Sequence, residues 1–144
     1  MTKVIMHGCN GKMGRFITDL ISQEEDMELV AGVDTYDGVP NTYPVYASIN
    51  EVKEDADVVI DFSNASAVDG LLEWCAGTNT PCVLCSTGLS KEQLENVQET
   101  SKQVAILKSA NMSLGINTLL KLLKEAAAVL APAGFDIEIV EKHQ

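Results

Sequence analysis

Glycines 8, 11 and 14 in VIMHGCNGKMGRF fall at intervals of three, where an apolar run gives way to a helical pattern. Few folds ask for this. A first glycine lets the chain turn tightly, a second lets backbone approach a ligand, and a third lets helix and strand pack closely. The helix that follows directs unpaired N–H groups at whatever sits in front of it, which favours an anion. The flanking pattern fits: Val4 to Met6 reads as a buried strand, Met13 to Ile21 is apolar at helical spacing, and Glu28 to Val33 reads as a second strand ending in Asp34. Asp34 lies twenty residues after Gly14, where an acidic group accepts hydrogen bonds from a ribose with a free 2′-hydroxyl. The spacing is GxxGxxG rather than the commoner GxGxxG, so the context carries the dinucleotide reading as much as the glycines do.

Apolar runs and helical patterns alternate along the chain, which predicts a parallel sheet with helices on both faces, an α/β doubly wound fold of Rossmann type. Further strands are expected at Val45 to Ser48, Val58 to Phe62, Cys82 to Cys85, Val104 to Leu107 and Phe135 to Val140. Helices are expected from Ala65 to Ala76, capped by Ser63 or Asn64, from Ser90 to about Ser101, and from Ser113 or Leu114 to Leu130, stopped by Pro132 and Gly134. Residues 1–131 read as an NAD(P)-binding domain, and 132–144 as the start of a connection into a second domain that is absent. An alternating strand such as DIEIVEKH normally leads on to a partner, so a truncated chain is expected.

The 144 residues carry a net charge of −11. That charge opposes nonspecific attraction to nucleic acid or an anionic membrane, so neither is expected as a partner, and an anionic ligand must be held by local donors. No apolar stretch or basic leader suggests a membrane span or signal peptide, and a cytoplasmic location is expected. Cys82 and Cys85 have CxxC spacing, but in an apolar strand an offset of three puts them on opposite faces, which argues for two buried thiols rather than a redox or metal site. Cys9, inside the glycine loop near a helix N-terminus, is expected to have a lowered pKa and to be oxidisable.

In an open parallel sheet the ligand binds at the carboxyl ends of the strands. Those ends are 8–14, Asp34, 61–64, 85–88 and 109–113, mostly small or hydroxyl residues. Lys12 is read as the nearby cation for the diphosphate. Thr35, Tyr36 and Asp37 follow Asp34, with no arginine for a 2′-phosphate. At about 5 Å and an effective dielectric of about 20, a carboxylate opposes each phosphate charge by roughly 3 kcal/mol, less when exposed. NADH is therefore expected to be preferred, with NADPH as the alternative.

GCNGKMG, VVIDFS, CSTGL, SANMSLGIN, LLKLLKEAA and DIEIVEKH together carry a resemblance that spans the whole chain. The chain resembles the N-terminal part of the 4-hydroxy-tetrahydrodipicolinate reductase family, also called dihydrodipicolinate reductase, of bacterial lysine biosynthesis. The resemblance implies reduction of a cyclic dicarboxylate by NADH or NADPH, a Rossmann domain followed by a substrate and tetramerisation domain, and a homotetramer. It implies that Gly8, Gly11, Lys12, Met13 and Gly14 line the diphosphate and Asp34 the adenosine ribose. Phe62, Ser86, Thr87 and Gly88 would flank the nicotinamide, and Ala110, Asn111 and Met112 would fix its ring and amide. His143 matches the first histidine of an ExHH segment and is the candidate catalytic residue. Gln144 stands where the family has a second histidine, Cys85 where it has a glycine, and Met112 where it has a phenylalanine. The lysine and PSGT segment that grip the substrate lie beyond Gln144, so this chain is expected to bind cofactor with little or no turnover. The competing readings are a stand-alone dinucleotide-binding or redox-sensing module, and another dehydrogenase sharing only the Rossmann half.

Overall fold

The computed structural model describes residues 1–109 and 138–141. Seven strands form one parallel sheet: β1 (Thr2–His7), β2 (Met27–Val33), β3 (Val45–Tyr46), β4 (Val58–Asp61), β5 (Cys82–Leu84), β6 (Ile106–Ser109) and β7 (Glu138–Glu141). Their order is β3-β2-β1-β4-β5-β6-β7. The chain winds outward from β1 to β3, then returns to the other side of β1 and winds the opposite way. The crevice between β1 and β4, where direction reverses, is where such sheets bind ligands.

Alternation along the strands sends side chains to two cores. Val4, Met6, Ile60 and Val83 meet Ile17 and Ile21 of α1 (Lys12–Ser22) on one face. Ile5, Val59, Leu84 and Ile106 meet Leu71, Leu72 and Cys75 of α2 (Val68–Thr78) and Val97 of α3 (Lys91–Ser101) on the other. Cys85 belongs to the first cluster and Cys82 to the second, as an offset of three requires.

Three elements depart from the sequence reading for local reasons. The segment expected to be helical from Ala65 begins as a 3-10 turn, Ala65–Ala67, because the Asn64 side chain caps the Ser66 N–H and Ala67 N–H bonds the Asn64 carbonyl; the α-helix proper starts at Val68. β3 is two residues long, because Ser48 and Glu51 form a capping box that opens another 3-10 turn, Ile49–Glu51. β6 starts at Ile106 rather than Val104, whose N–H still bonds the Thr100 carbonyl at the end of α3. The helix expected at 113–130 and the domain boundary at 131/132 lie outside the described residues.

Two glycines of the loop are required by the chain's own packing. Gly8 has φ +85°, and a Cβ there would sit 2.6 Å from the Phe62 carbonyl oxygen. A Cβ on Gly14 would sit 2.1 Å from the Gly8 carbonyl oxygen. Gly14→Ala is therefore expected to cost about 1–3 kcal/mol or more through backbone displacement. Gly77→Ala, in α2 with nothing within 4 Å of the added methyl, should instead stabilise by about 0.5 kcal/mol. Denaturant melts of the two variants check the contrast, and equal effects would contradict it.

Candidate functional site

A cleft of about 430 Å³ opens at the carboxyl edge of the sheet across the reversal point. Its floor is His7, Gly8 and Gly11 of the glycine loop; Val33, Asp34 and Thr35 close one end, and Phe62 and Ser63 the other. The 3-10 turn after β3 and the first turn leading into α2 form its far wall, through Ser48, Ile49, Asn50, Ser66, Ala67 and Gly70.

Gly11 behaves differently from its neighbours. It is the N-cap of α1, it makes no side-chain cap, and an added Cβ would meet nothing closer than the Gly8 carbonyl at 3.6 Å. Internal packing therefore does not demand glycine there. A methyl would instead stand in the open cradle before the uncapped N–H groups of α1, whose first turn carries no acidic side chain. Such a helix start accepts an anion, and the missing side chain lets that anion come close.

At the outer end, Asp34 is held by two backbone donors: Asn10 N–H bonds Oδ2 at 2.9 Å and Tyr36 N–H bonds Oδ1 at 3.0 Å. Asn10 also donates through Nδ2 to the Tyr36 carbonyl and accepts from Asn41 Nδ2 at 2.9 Å. Asn41 Oδ1 in turn accepts from the Arg15 guanidinium. The loop after β2 is thus laced to the glycine loop, and Asp34 is oriented before any ligand arrives. Arg15 is a second cation in this region, beside the exposed Lys12; the sequence reading named Lys12 alone because nothing local placed Arg15 against Asn41.

Beneath the reversal point lies a polar pair that the sequence reading missed. His7 and Asp61 are register partners at the ends of β1 and β4. They are 4% and 0% exposed, with Nδ1 2.7 Å from Oδ1. Ser63 donates to Oδ1 through its N–H, at 3.2 Å, and its hydroxyl, and Ser86 donates its hydroxyl to Oδ2. Burial alone would push the Asp61 carboxyl up, but the hydrogen bond and charge of His7 and the two serines outweigh it and hold the carboxyl below its usual range. VIMH and VVID offer the signal: two parallel strands, each ending in one titratable residue just before its loop.

Of the residues expected at the cofactor, the cleft brings together Gly8, Gly11, Asp34 and Phe62. Gly14 is buried beneath the loop, while Met13 is half-buried. Ser86 is buried against Asp61, whereas Thr87 and Gly88 are exposed beyond it. Ala110, Asn111, Met112 and His143 lie outside the described residues. Cys9 corrects the expectation of a reactive thiol. It is fully buried among Met6, Ile17 and Tyr43, and burial, reinforced by the Asp34 carboxylate, pushes its pKa up. A thiol so placed is a poor nucleophile, which removes the chemical basis for a redox sensor at this position.

Comparison with known proteins matches residues 2–112 to the family described as dihydrodipicolinate reductase, N-terminus. The chain belongs to this family. A 4-hydroxy-tetrahydrodipicolinate reductase of Caldanaerobacter subterraneus subsp. tengcongensis is 53% identical over 143 residues, covering 99% of this chain and 56% of that protein. One from Clostridium novyi is 47% identical with the same coverage. The solved structure of a dipicolinate-bound dihydrodipicolinate reductase from Paenisporosarcina sp. TG-14 superposes with a TM-score of 0.71 at 26% identity, over 90% of this chain and 54% of that one. The chain thus spans about half the length of the reductases that it matches. Among the described residues no helix is long and apolar enough to cross a membrane.

The Asp61 shift carries a pH dependence. An unfolded Asp titrates near 3.9, and the folded carboxyl titrates lower, so the stability it adds is complete above about pH 4 to 5 and is lost as pH falls through the folded value. The gap in unfolding free energy between the wild type and Asp61→Asn should be about 3 kcal/mol near neutrality and should narrow in acid. A gap unchanged from pH 7 to pH 2 would contradict this.

Proposed function

We propose that this chain forms the pyridine-nucleotide half of a 4-hydroxy-tetrahydrodipicolinate reductase. That enzyme passes a hydride from NADH to a cyclic imine or enamine dicarboxylate in the diaminopimelate route to lysine. The observation that carries the reading is the cradle at Gly11: an uncapped helix start, glycine where packing does not need it, and an oriented carboxylate at the far end of the same cleft. Family membership supplies the reaction class.

In this reading residues 1–131 are the cofactor domain and 132–144 lead towards a substrate domain. The backbone from Gly8 to Gly14, with Lys12 and Met13, holds the diphosphate, and Asp34 takes the adenosine ribose hydroxyls. Phe62, Ser86, Thr87, Gly88, Ala110, Asn111 and Met112 flank the nicotinamide, and His143 serves the substrate side as proton donor or contact. NADH when bound supplies the hydride; the protein's part is to bind, orient and exclude water. A homotetramer acting in the cytoplasm completes the proposal.

Preference for NADH follows from Asp34. Its carboxylate accepts from 2′- and 3′-hydroxyls through the lone pairs its two backbone bonds leave free, and it repels a 2′-phosphate. Calorimetric titration should give tighter binding of NADH than of NADPH. Asp34→Asn should weaken NADH by about tenfold, the loss of a charge-assisted hydrogen bond, and narrow the difference from NADPH. NADPH binding as tight as NADH by the unaltered chain would overturn the preference.

A further inference from the structure

His7 has a second nitrogen. Nδ1 is committed to Asp61, and Nε2 has no partner among the described residues. Only a small part of His7, 4% of the residue, stays accessible. His7 lines the cleft next to Gly8 and Gly11. The result is a side chain more than nine-tenths buried, clamped at Nδ1 and placed at the floor of the cleft.

We infer that His7 Nε2 is a contact for the diphosphate of the bound dinucleotide, donating a hydrogen bond to a phosphate oxygen from an imidazolium backed by the Asp61 carboxylate. The inference rests on the dinucleotide reading proposed above. Position favours phosphate over ribose: His7 sits at the β1/β4 reversal, one residue before the loop that faces the anion, whereas Asp34 marks the ribose one strand further out. Charge favours it too. An ionised carboxylate with no solvent exposure calls for a counter-charge, and the imidazole is the cationisable group bonded to it. Among the described residues the ionisable group bonded to the ring is Asp61 on β4, which in turn interacts with the buried thiols of Cys82 on β5 and Cys85 just after it, while Asp34, beyond the end of β2, lines the same cleft. Cys9 lies in the loop but packs on the opposite face of the sheet. Among the described residues, the turn after β3 and the segment entering α2 present uncharged Ser48, Asn50, Ser63, Asn64 and Ser66 as polar lining. A phosphate therefore meets the His7 ring at the cleft floor, supplementing the helix N–H groups.

The test is calorimetric titration of the 144-residue chain with ADP-ribose, which carries the diphosphate and adenosine, and with adenosine, which lacks the diphosphate, between pH 6 and pH 8.5. His7→Asn is the main variant, because its Nδ2 stands where His Nδ1 stood and keeps the Asp61 bond while leaving nothing at the Nε2 position. Expected results are an ADP-ribose affinity that falls as pH rises for the wild type and a loss of about tenfold at pH 6 in His7→Asn. The variant should also lose the pH dependence, while its adenosine affinity stays unchanged. Melting curves check folding; if His7→Asn does not fold, the wild-type pH profile and His7→Gln, neutral at the ε position, still decide. A pH-independent wild type, or ADP-ribose binding unaltered in His7→Asn, would overturn the contact. Equal loss for adenosine would move it off the diphosphate and overturn the assignment. Failure of the wild type to bind ADP-ribose at any pH would overturn the dinucleotide reading itself, and this contact with it.

Discussion

Three backbone segments converge where the sheet reverses direction. The Gly8 carbonyl lies against Gly14 at the start of α1, and the Phe62 carbonyl after β4 lies against Gly8. Nothing larger than hydrogen fits between them, so the distance from β1 to both α1 and the β4 loop is set by the absence of side chains. Register across β1 and β4, the aim of α1, and the depth of the cleft all follow from that approach.

The polar pair just below has the same location and a different physics. Removing a carboxylate from water costs several kcal/mol, and only a full set of donors and a counter-charge offset it. Asp61 has them from three separate parts of the chain: His7 on β1, Ser63 after β4 and Ser86 after β5. A buried group satisfied in this way ties three strand ends together, so the floor of the cleft is rigid before a ligand enters. Asp34 is treated likewise at the rim, through Asn10 and the loop after β2. Both carboxylates are oriented by the protein, one to hold the floor and one to face outward.

Much of this was legible in the sequence where a local rule applies. GCNGKMG announced a tight βα turn, the alternation of VIMH, ELVAGV and VVID gave parallel strands, and SKEQ gave a capped helix at Ser90 that the capping box confirms. The long-range contacts were not legible. No spacing rule joins His7 to Asp61 across 54 positions or brings Arg15 to Asn41 across 26. Cys9 misled for the same reason: its closeness to a helix N-terminus is visible in sequence, while the Met6, Ile17 and Tyr43 side chains that bury it come from β1, α1 and the loop before β3. Element boundaries shifted by two or three residues where a side-chain cap chose a 3-10 turn: the start of α2 at Asn64 and the end of β3 at Ser48.

The central claim is that the glycine cradle at the β1/β4 reversal holds the cofactor. Amide chemical shifts of the 15N-labelled chain, followed as NADH is added, test it residue by residue. The account predicts saturable changes that are largest at Gly8, Gly11, Lys12 and Met13, with a second group at Asp34 and Tyr36 and at Phe62 to Asn64. Saturable changes confined to other parts of the sheet, with the Gly8 to Gly14 amides unmoved, would contradict it.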